Sequence, residues 1–197
     1  MSNDQIGIVI LAAGESSRLG KPKQLLRFEG RTLIRRSVEN ALQSRAGPVL
    51  VILGSENEKV RNEIIDLPIE TISNSEWKSG IASSIKCSVN KIIQENRKVS
   101  AVIFTLCDQP YVNYETLSKL VLKYRSTGAK IVASEYEETI GVPALFDASL
   151  FEELMSLTGD SGAKSLIRRY SAKVEIISAP EAALDIDSLP DYQRLIS

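Results

Sequence analysis

Two glycines and three cations crowd the stretch Leu11-Ala12-Ala13-Gly14-Glu15-Ser16-Ser17-Arg18-Leu19-Gly20-Lys21-Pro22-Lys23, directly behind the apolar run Ile6–Leu11. A strand that stops at a glycine-containing loop and then enters a helix is a common way to hold a phosphate. Exposed backbone N–H groups and a helix N-terminus both favour an anion. The small residues Ala12, Ala13 and Gly14 let the backbone approach a nucleotide closely. Arg18 can fork onto phosphate oxygens and Lys23 can place a point charge on them. The spacing excludes two better-known phosphate loops. Walker A fails because five residues separate Gly14 from Gly20 and Pro22 follows Lys21. The dinucleotide fingerprint fails because Glu15 and Ser16 follow Gly14. The plain alternative is an ordinary βα turn with a solvated basic patch.

Two further stretches could do chemistry beside that loop. Ala101–Leu106 is a continuous apolar run that ends in Cys107-Asp108-Gln109-Pro110. A carboxylate at the tip of a buried strand suits Mg2+, which keeps several waters and uses one or two carboxylates together with substrate phosphates. Otherwise Asp108 would cap the turn before Pro110. Trp77-Lys78-Ser79-Gly80-Ile81-Ala82-Ser83-Ser84 runs from a polar loop into a helical pattern and holds the single tryptophan. Gly80 permits tight backbone passage. Free N–H groups and the Ser83 and Ser84 hydroxyls could read a base edge or a ribose. The bland reading is a helix start with Trp77 on the core.

These residues need a scaffold, and the chain can build one. It has 197 residues, 43% of them hydrophobic, enough for one large core in a single domain over 1–197. A formal net charge of −1 argues against nucleic-acid wrapping or a basic membrane-surface protein. Histidine is absent and the two cysteines, Cys87 and Cys107, form no C-x-x-C pair, which disfavours a Cys/His zinc site and a disulfide framework. A reducing, cytoplasmic setting is expected. The first apolar run ends at Gly14 and no apolar stretch reaches membrane-spanning length, so it reads as a first buried strand rather than a signal peptide.

Strand-length apolar runs recur at Ile6–Leu11, Val49–Leu53, Ile69–Ile72, Ala101–Leu106, Lys130–Ser134, Val142–Phe146 and Lys173–Ser178. Helical periodicity falls between them. Thr32 is expected to cap Leu33–Ser44, and Asn113 to cap Tyr114–Tyr124. Glu58–Ile65, Ile81–Glu95, Ser149–Leu157, Ser161–Tyr170 and Asp191–Ile196 complete the set. Strands alternating with helices predict an α/β domain, a mostly parallel sheet covered on both faces. Ligands of such sheets sit beyond the carboxyl ends of the strands, which selects Ala12–Lys23 and Cys107–Val112.

The loop matches L-A-A-G-x-S-x-R-x-G-x-x-K, and on it the sequence resembles the MobA-like nucleotidyltransferases, most of all the molybdenum cofactor cytidylyltransferases. The resemblance spans Ile6 to about Tyr192 and implies a Rossmann-like three-layer α/β/α fold. It implies that Leu11, Ala12, Ala13, Gly14, Arg18 and Lys23 bind the triphosphate and nucleoside of an NTP, and that Gly80, Ser83 and Ser84 hold the base side. Ala13, where a guanylyltransferase usually has Gly, leans toward CTP. Asp108 matches the family's magnesium aspartate, and Cys107 then reads as a packing residue. Asp185-Ile186-Asp187-Ser188 resembles the family's D-x-D-T, with Asp187 placed as second metal ligand and Asp185 in reserve.

Gly141-Val142-Pro143-Ala144-Leu145-Phe146 resembles G-x-P-x-L-F, on the acceptor side, although many cytidylyltransferases carry His or Asn where Val142 stands. Read alone, Gly141-Val142-Pro143 is a short edge strand with a rigid turn. Gly159–Lys164 resembles G-D-x-G-A-R with Lys164 replacing Arg; Asp160 is expected to cap the following helix.

The implied activity is Mg2+-dependent transfer of CMP from CTP to the phosphate of molybdopterin, releasing pyrophosphate, with Lys23, Arg18 and Asp108 catalytic. A transient contact with a molybdenum enzyme would receive the product. Alternatives are a sugar-1-phosphate or other small-phosphate acceptor, or a non-catalytic accessory protein that binds the cofactor.

Overall fold

The computed structural model describes residues 5–15, 19–54, 56–95 and 98–196. In chain order the elements are β1 (Gln5–Ala12), β2 (Arg27–Phe28), β3 (Arg31–Thr32), α1 (Leu33–Gln43), β4 (Val49–Leu53), α2 (Asn57–Asn62), β5 (Glu70–Ser73) and α3 (Ile81–Gln94). Then follow β6 (Val99–Leu106), α4 (Tyr114–Thr127), β7 (Ile131–Tyr136), β8 (Thr139–Asp147), α5 (Phe151–Met155), α6 (Lys164–Arg169), β9 (Val174–Ser178) and α7 (Leu189–Ile196).

Seven strands form one sheet in the order β5-β4-β1-β6-β8-β7-β9. Only β8 runs against its neighbours β6 and β7. The mostly parallel α/β expectation therefore holds. Successive side chains of a strand face opposite layers, and here both layers are dry. Ile8 and Ile10 of β1 pack with Ile34 and Val38 of α1 and with Leu117 and Leu120 of α4. Val9 and Leu11 pack with Ile85 and Val89 of α3, Leu154 of α5 and Leu166 of α6. Strands buried on both sides read as unbroken apolar runs, which is why Val49–Leu53 is found to the residue.

Caps expected from the sequence are present where the signal is local. Thr32 accepts from Arg35 N, and Asn113 accepts from Glu115 N and Thr116 N. The helix expected at Ser161–Tyr170 starts later, at Lys164, with Ala163 at its N-cap position and no side-chain cap. Asp160 is therefore not its cap. The intervening residues turn instead, through Ser161 N to Thr158 O and Ser165 N to Gly162 O.

A second correction concerns Gly141–Phe146, which lies in β8, between β6 and β7 and not at an edge. Val142 and Pro143 stand outside both ladders: pairing with β7 jumps from Ala133↔Ala144 to Ser134↔Gly141. Pro143 thus needs no N–H, as expected for proline at an irregularity, and its carbonyl accepts from the Ser134 hydroxyl at 2.6 Å.

The phosphate loop also differs from expectation, because no helix follows it directly. Lys23–Leu25 is a 3₁₀ turn closed by Leu25 N to Pro22 O, and the β2–β3 hairpin intervenes before α1. Its turn residues Glu29 and Gly30 both have positive φ, 50° and 79°, the requirement of a tight two-residue hairpin. A third apolar cluster, Leu19, Leu26, Leu33, Ile186 and Leu195, packs α7 and the chain before it onto this region.

Candidate functional site

The register of the parallel strands builds the site. Leu11 of β1 stands opposite Leu106 of β6, so the chain leaving Ala12 and the chain leaving Leu106 emerge side by side. Ala13 lies close over the neighbouring strand, where a Cβ on Gly54 would meet Ala13 O at 2.5 Å and Trp77 Cγ at 2.8 Å. Gly54 is the contact that lets Ala13 and Trp77 approach.

A cavity of about 200 Å³ opens at this edge. Leu11, Ala12, Ala13 and Gly14 form one wall, Trp77, Gly80 and Ser84 another, and Lys23 and Asp108 line it as well. Ser83 is not among its walls. The Ser83 hydroxyl donates to Gly80 O at 2.8 Å and accepts from Asn74 Nδ2 at 2.8 Å, while Ser84 Oγ accepts from the same amide at 3.0 Å. The N–H groups expected to be free at the start of α3 are also engaged, Ala82 N by Gly159 O and Ser83 N by Gly80 O, each at 3.1 Å. Arg18 and Ser16 lie outside the described residues.

Lys23 carries the charge cluster. Its ammonium donates to Asp108 Oδ2 and, at 3.1 Å, to Asp187 Oδ1. Burial alone would lower its pKa, but the Asp108 carboxylate, helped by Asp187, raises it above the ordinary lysine value, so Lys23 stays charged. Asp108 Oδ1 is buried and makes no hydrogen bond. Asp185 lies near the same charge: burial first, then the Asp108 carboxylate, push its carboxyl up to about 6. The Cys107 thiol is 2% exposed and is pushed up to about 12 by burial and by Asp108, which leaves it neutral at physiological pH.

The donor set fits a hard divalent cation. It is made of carboxylate oxygens of Asp108 and Asp187 gathered on one ammonium beside the cavity, and Mg2+ completes such a set with substrate oxygens and water. Among the described residues no three His, Cys, Asp or Glu side chains converge as a protein-only cage.

Three residues that shape the site carry no sequence signal of their own. Gln24 is 1% exposed, and its amide donates to Ala12 O at 2.8 Å and Gly14 O at 3.0 Å, which sets the curve of the loop. Asn74 holds Ser83 and Ser84. Gln109 donates to Val142 O at 3.4 Å and Ala182 O at 3.0 Å and so ties β8 and the late chain to the tip of β6. A buried amide is indistinguishable in sequence from a solvated one; the one hint is the place of Gln24 directly after Lys23.

A second cavity of about 190 Å³ shares Leu11, Ile81 and Leu106 with the first and adds Val142, Asp160, Gly162, Ala163 and Lys164. Gly80, on the wall of the first, lies against the turn that carries Asp160 of the second. It sits at φ 101° and ψ 173°, and a Cβ there would meet Gly159 O at 2.4 Å and Asp160 Oδ1 at 2.7 Å. Gly141 plays a similar part for Lys164, whose Cε would lie 2.7 Å from an added Cβ. Among the described residues no helix is long and apolar enough to cross a membrane.

Known proteins share this architecture. The chain is 28% identical over 199 residues to nicotine blue oxidoreductase of Paenarthrobacter nicotinovorans, covering 95% of each. It is 28% identical over 188 residues to molybdenum cofactor cytidylyltransferase of Escherichia coli K12, covering 95% of this chain and 93% of the other. The structure superposes on that of Rv0371c from Mycobacterium tuberculosis H37Rv with a TM-score of 0.86, 28% identity and 99% of each chain covered. A manganese complex of Rv0371c gives a TM-score of 0.81 at 26% identity over 98% of both chains. The MobA-like NTP transferase domain model matches residues 8–174, from inside β1 to the first residue of β9. That span holds the Ala12–Gly14 wall, Lys23, Gly80 and Asp108, and stops short of Asp187. With most of its length and the edge that bears the charge cluster inside the match, the chain belongs to the MobA-like NTP transferase family of nucleotidyltransferases.

Proposed function

We propose that the protein transfers CMP from CTP to the phosphate of molybdopterin and releases pyrophosphate. The observation that carries this reading is the convergence of Lys23, Asp108 and Asp187 at the mouth of a cavity walled by Ala12, Ala13 and Gly14. In a nucleotidyltransferase this is where the triphosphate would lie. Ala13 supports CTP, and the full-length match to the Escherichia coli cytidylyltransferase supports molybdopterin.

In the reaction, an oxygen of the acceptor phosphate forms a bond to the α-phosphorus of CTP. The bond from that phosphorus to the α,β-bridging oxygen breaks, and pyrophosphate leaves with the electron pair. No general base is required, because a phosphate monoester is largely ionised near neutral pH. Lys23 stabilises charge on the α-phosphate and the leaving group, as does Arg18 in this reading. Trp77, Gly80 and Ser84 bound the nucleoside side. Lys164, on the wall of the second cavity, meets the acceptor phosphate as a point charge. Asp108 and Asp187 hold Mg2+, which when bound offsets the repulsion between phosphate oxygens. Catalysis then comes from positioning and electrostatics rather than a covalent step.

The test measures pyrophosphate release with CTP, GTP, ATP and UTP, each with molybdopterin and with sugar-1-phosphates. Release specific to CTP and molybdopterin supports the assignment. Turnover with a sugar-1-phosphate moves the acceptor to that class. Tight cofactor binding without turnover of any NTP would make this chain an accessory binder. The acceptor is the half that most needs the assay, since identity to a protein named as an oxidoreductase is equally high.

A further inference from the structure

We infer that the Lys23 ammonium is the resting counter-ion of the metal carboxylates, so that a divalent cation binds with the nucleotide and not before it. This rests on reading Asp108 and Asp187 as the metal ligands.

The geometry makes the two cations exclusive. Lys23 Nζ contacts Asp108 Oδ2 and lies 3.1 Å from Asp187 Oδ1. The remaining Asp108 oxygen is buried, so the approach to this carboxylate runs through the oxygen that Lys23 already holds. A divalent ion at about 2.1 Å from Oδ2 would be driven against the ammonium. A doubly charged ion and an ammonium at such range in a part-buried site repel strongly. The ion can settle only if Lys23 moves away.

The same surroundings indicate where Lys23 goes. It lines the cavity with Ala12, Ala13 and Gly14, so a triphosphate there offers anionic oxygens within a side chain's swing. Gln24, the next residue, is bonded to Ala12 O and Gly14 O. The backbone is thereby held, and the flexible four-carbon stem of Lys23 makes the move. The exchange improves the charge balance. Before binding, one ammonium partly offsets two carboxylates; afterwards the divalent ion offsets them and Lys23 offsets phosphate. Metal without nucleotide would leave the ammonium displaced with no anion to receive it.

The test is Mn2+ titration of the full chain without nucleotide or acceptor, free ion being read by electron paramagnetic resonance. Lys23→Met and Lys23→Gln should each bind Mn2+ about tenfold tighter or more than the wild type, the direction set by removing a neighbouring like charge. Lys23→Arg, which keeps a cation, should bind as weakly as the wild type. Adding Asp108→Asn to Lys23→Met should erase the gain. Unchanged affinity in the Met and Gln variants, a gain that survives Asp108→Asn, or an equal gain in Lys23→Arg would each overturn the inference. Two uncharged variants are used, with thermal melts, so that one folded protein suffices. Because no substrate is present, the result is separable from failure of the pyrophosphate assay.

Discussion

Gly80→Ala is the perturbation whose size the structure sets best. Gly80 has φ 101° and ψ 173°, in a region populated almost only by glycine, where another residue costs on the order of 1–3 kcal/mol. The added Cβ would also lie 2.4 Å from the Gly159 carbonyl carbon and oxygen, so the 158–162 turn must retreat. That retreat breaks the bond from Ala82 N to Gly159 O, 3.1 Å long, worth about 1 kcal/mol. The expected total is about 2–4 kcal/mol. Gly128→Ala is the matched control. Gly128 has a similar left-handed need, φ 65°, but nothing lies within 4 Å of its Cβ position. Its cost should be the conformational part alone, about 1–2 kcal/mol. Urea denaturation of both variants measures the difference, expected at about 1–2 kcal/mol. Steady-state kinetics should show a raised KM for CTP in Gly80→Ala and an unchanged one in Gly128→Ala. Equal stability losses within about 0.5 kcal/mol would refute the claim that Gly80 exists for its contact with Gly159.

Three other outcomes are expected. Lys23→Ala should lower kcat by about 100-fold or more, the scale of removing one preorganised charge; near wild-type turnover would take Lys23 out of the chemistry. Gln24→Ala loses the bonds to Ala12 O and Gly14 O; it should raise KM for CTP by about tenfold, with kcat changed less, and an unaltered KM would show that the loop keeps its shape without it. The Asp147 carboxyl is held below its usual range: burial opposes this, but hydrogen bonds from Ser149 and from the Tyr124 hydroxyl, the latter at 2.6 Å, outweigh it. A depressed carboxyl contributes stability that is present above its unfolded pKa and lost as pH falls through the folded one. Tyr124→Phe should therefore cost about 1–2 kcal/mol at pH 7 and progressively less as the medium is acidified below pH ~4, as read by denaturant melts; a cost independent of pH would exclude the carboxylate as the partner that matters.

Much of the scaffold was legible because its signals are local. A strand buried on both faces has to be apolar throughout, so Ile6–Leu11 and Ala101–Leu106 declared themselves, and with them the two strand tips that carry Ala12–Gly14 and Asp108. Thr32 and Asn113 were readable as caps because the groups they satisfy lie two or three residues away. Asp160 shows the limit of the same rule: a capping side chain before a helical pattern was present, yet Gly159 was drawn to α3 by Ala82 N, and the helix began after the turn. β8 shows another. Val142 and Pro143 look like an edge when read alone, but they sit at an irregularity in the middle of the sheet, where neither ladder asks for the missing N–H.

The residue types of the site belong to the sequence. The loop from Leu11 to Lys23, excluded from Walker A and dinucleotide patterns by its spacing, already carried the small backbone and the positive charge that a phosphate requires, and Asp108 already stood at the end of a buried strand. Who faces whom was decided by tertiary structure. Lys23 meets Asp108 across 85 residues and Asp187 across 164, Asn74 turns Ser83 inward, and Gln24 and Gln109 become loop anchors because packing strips them of water. Those relations depend on strand order and register, which act between segments far apart in the chain. A side chain's type can be read from its own position, but its electrostatic partner is set by what the fold brings beside it.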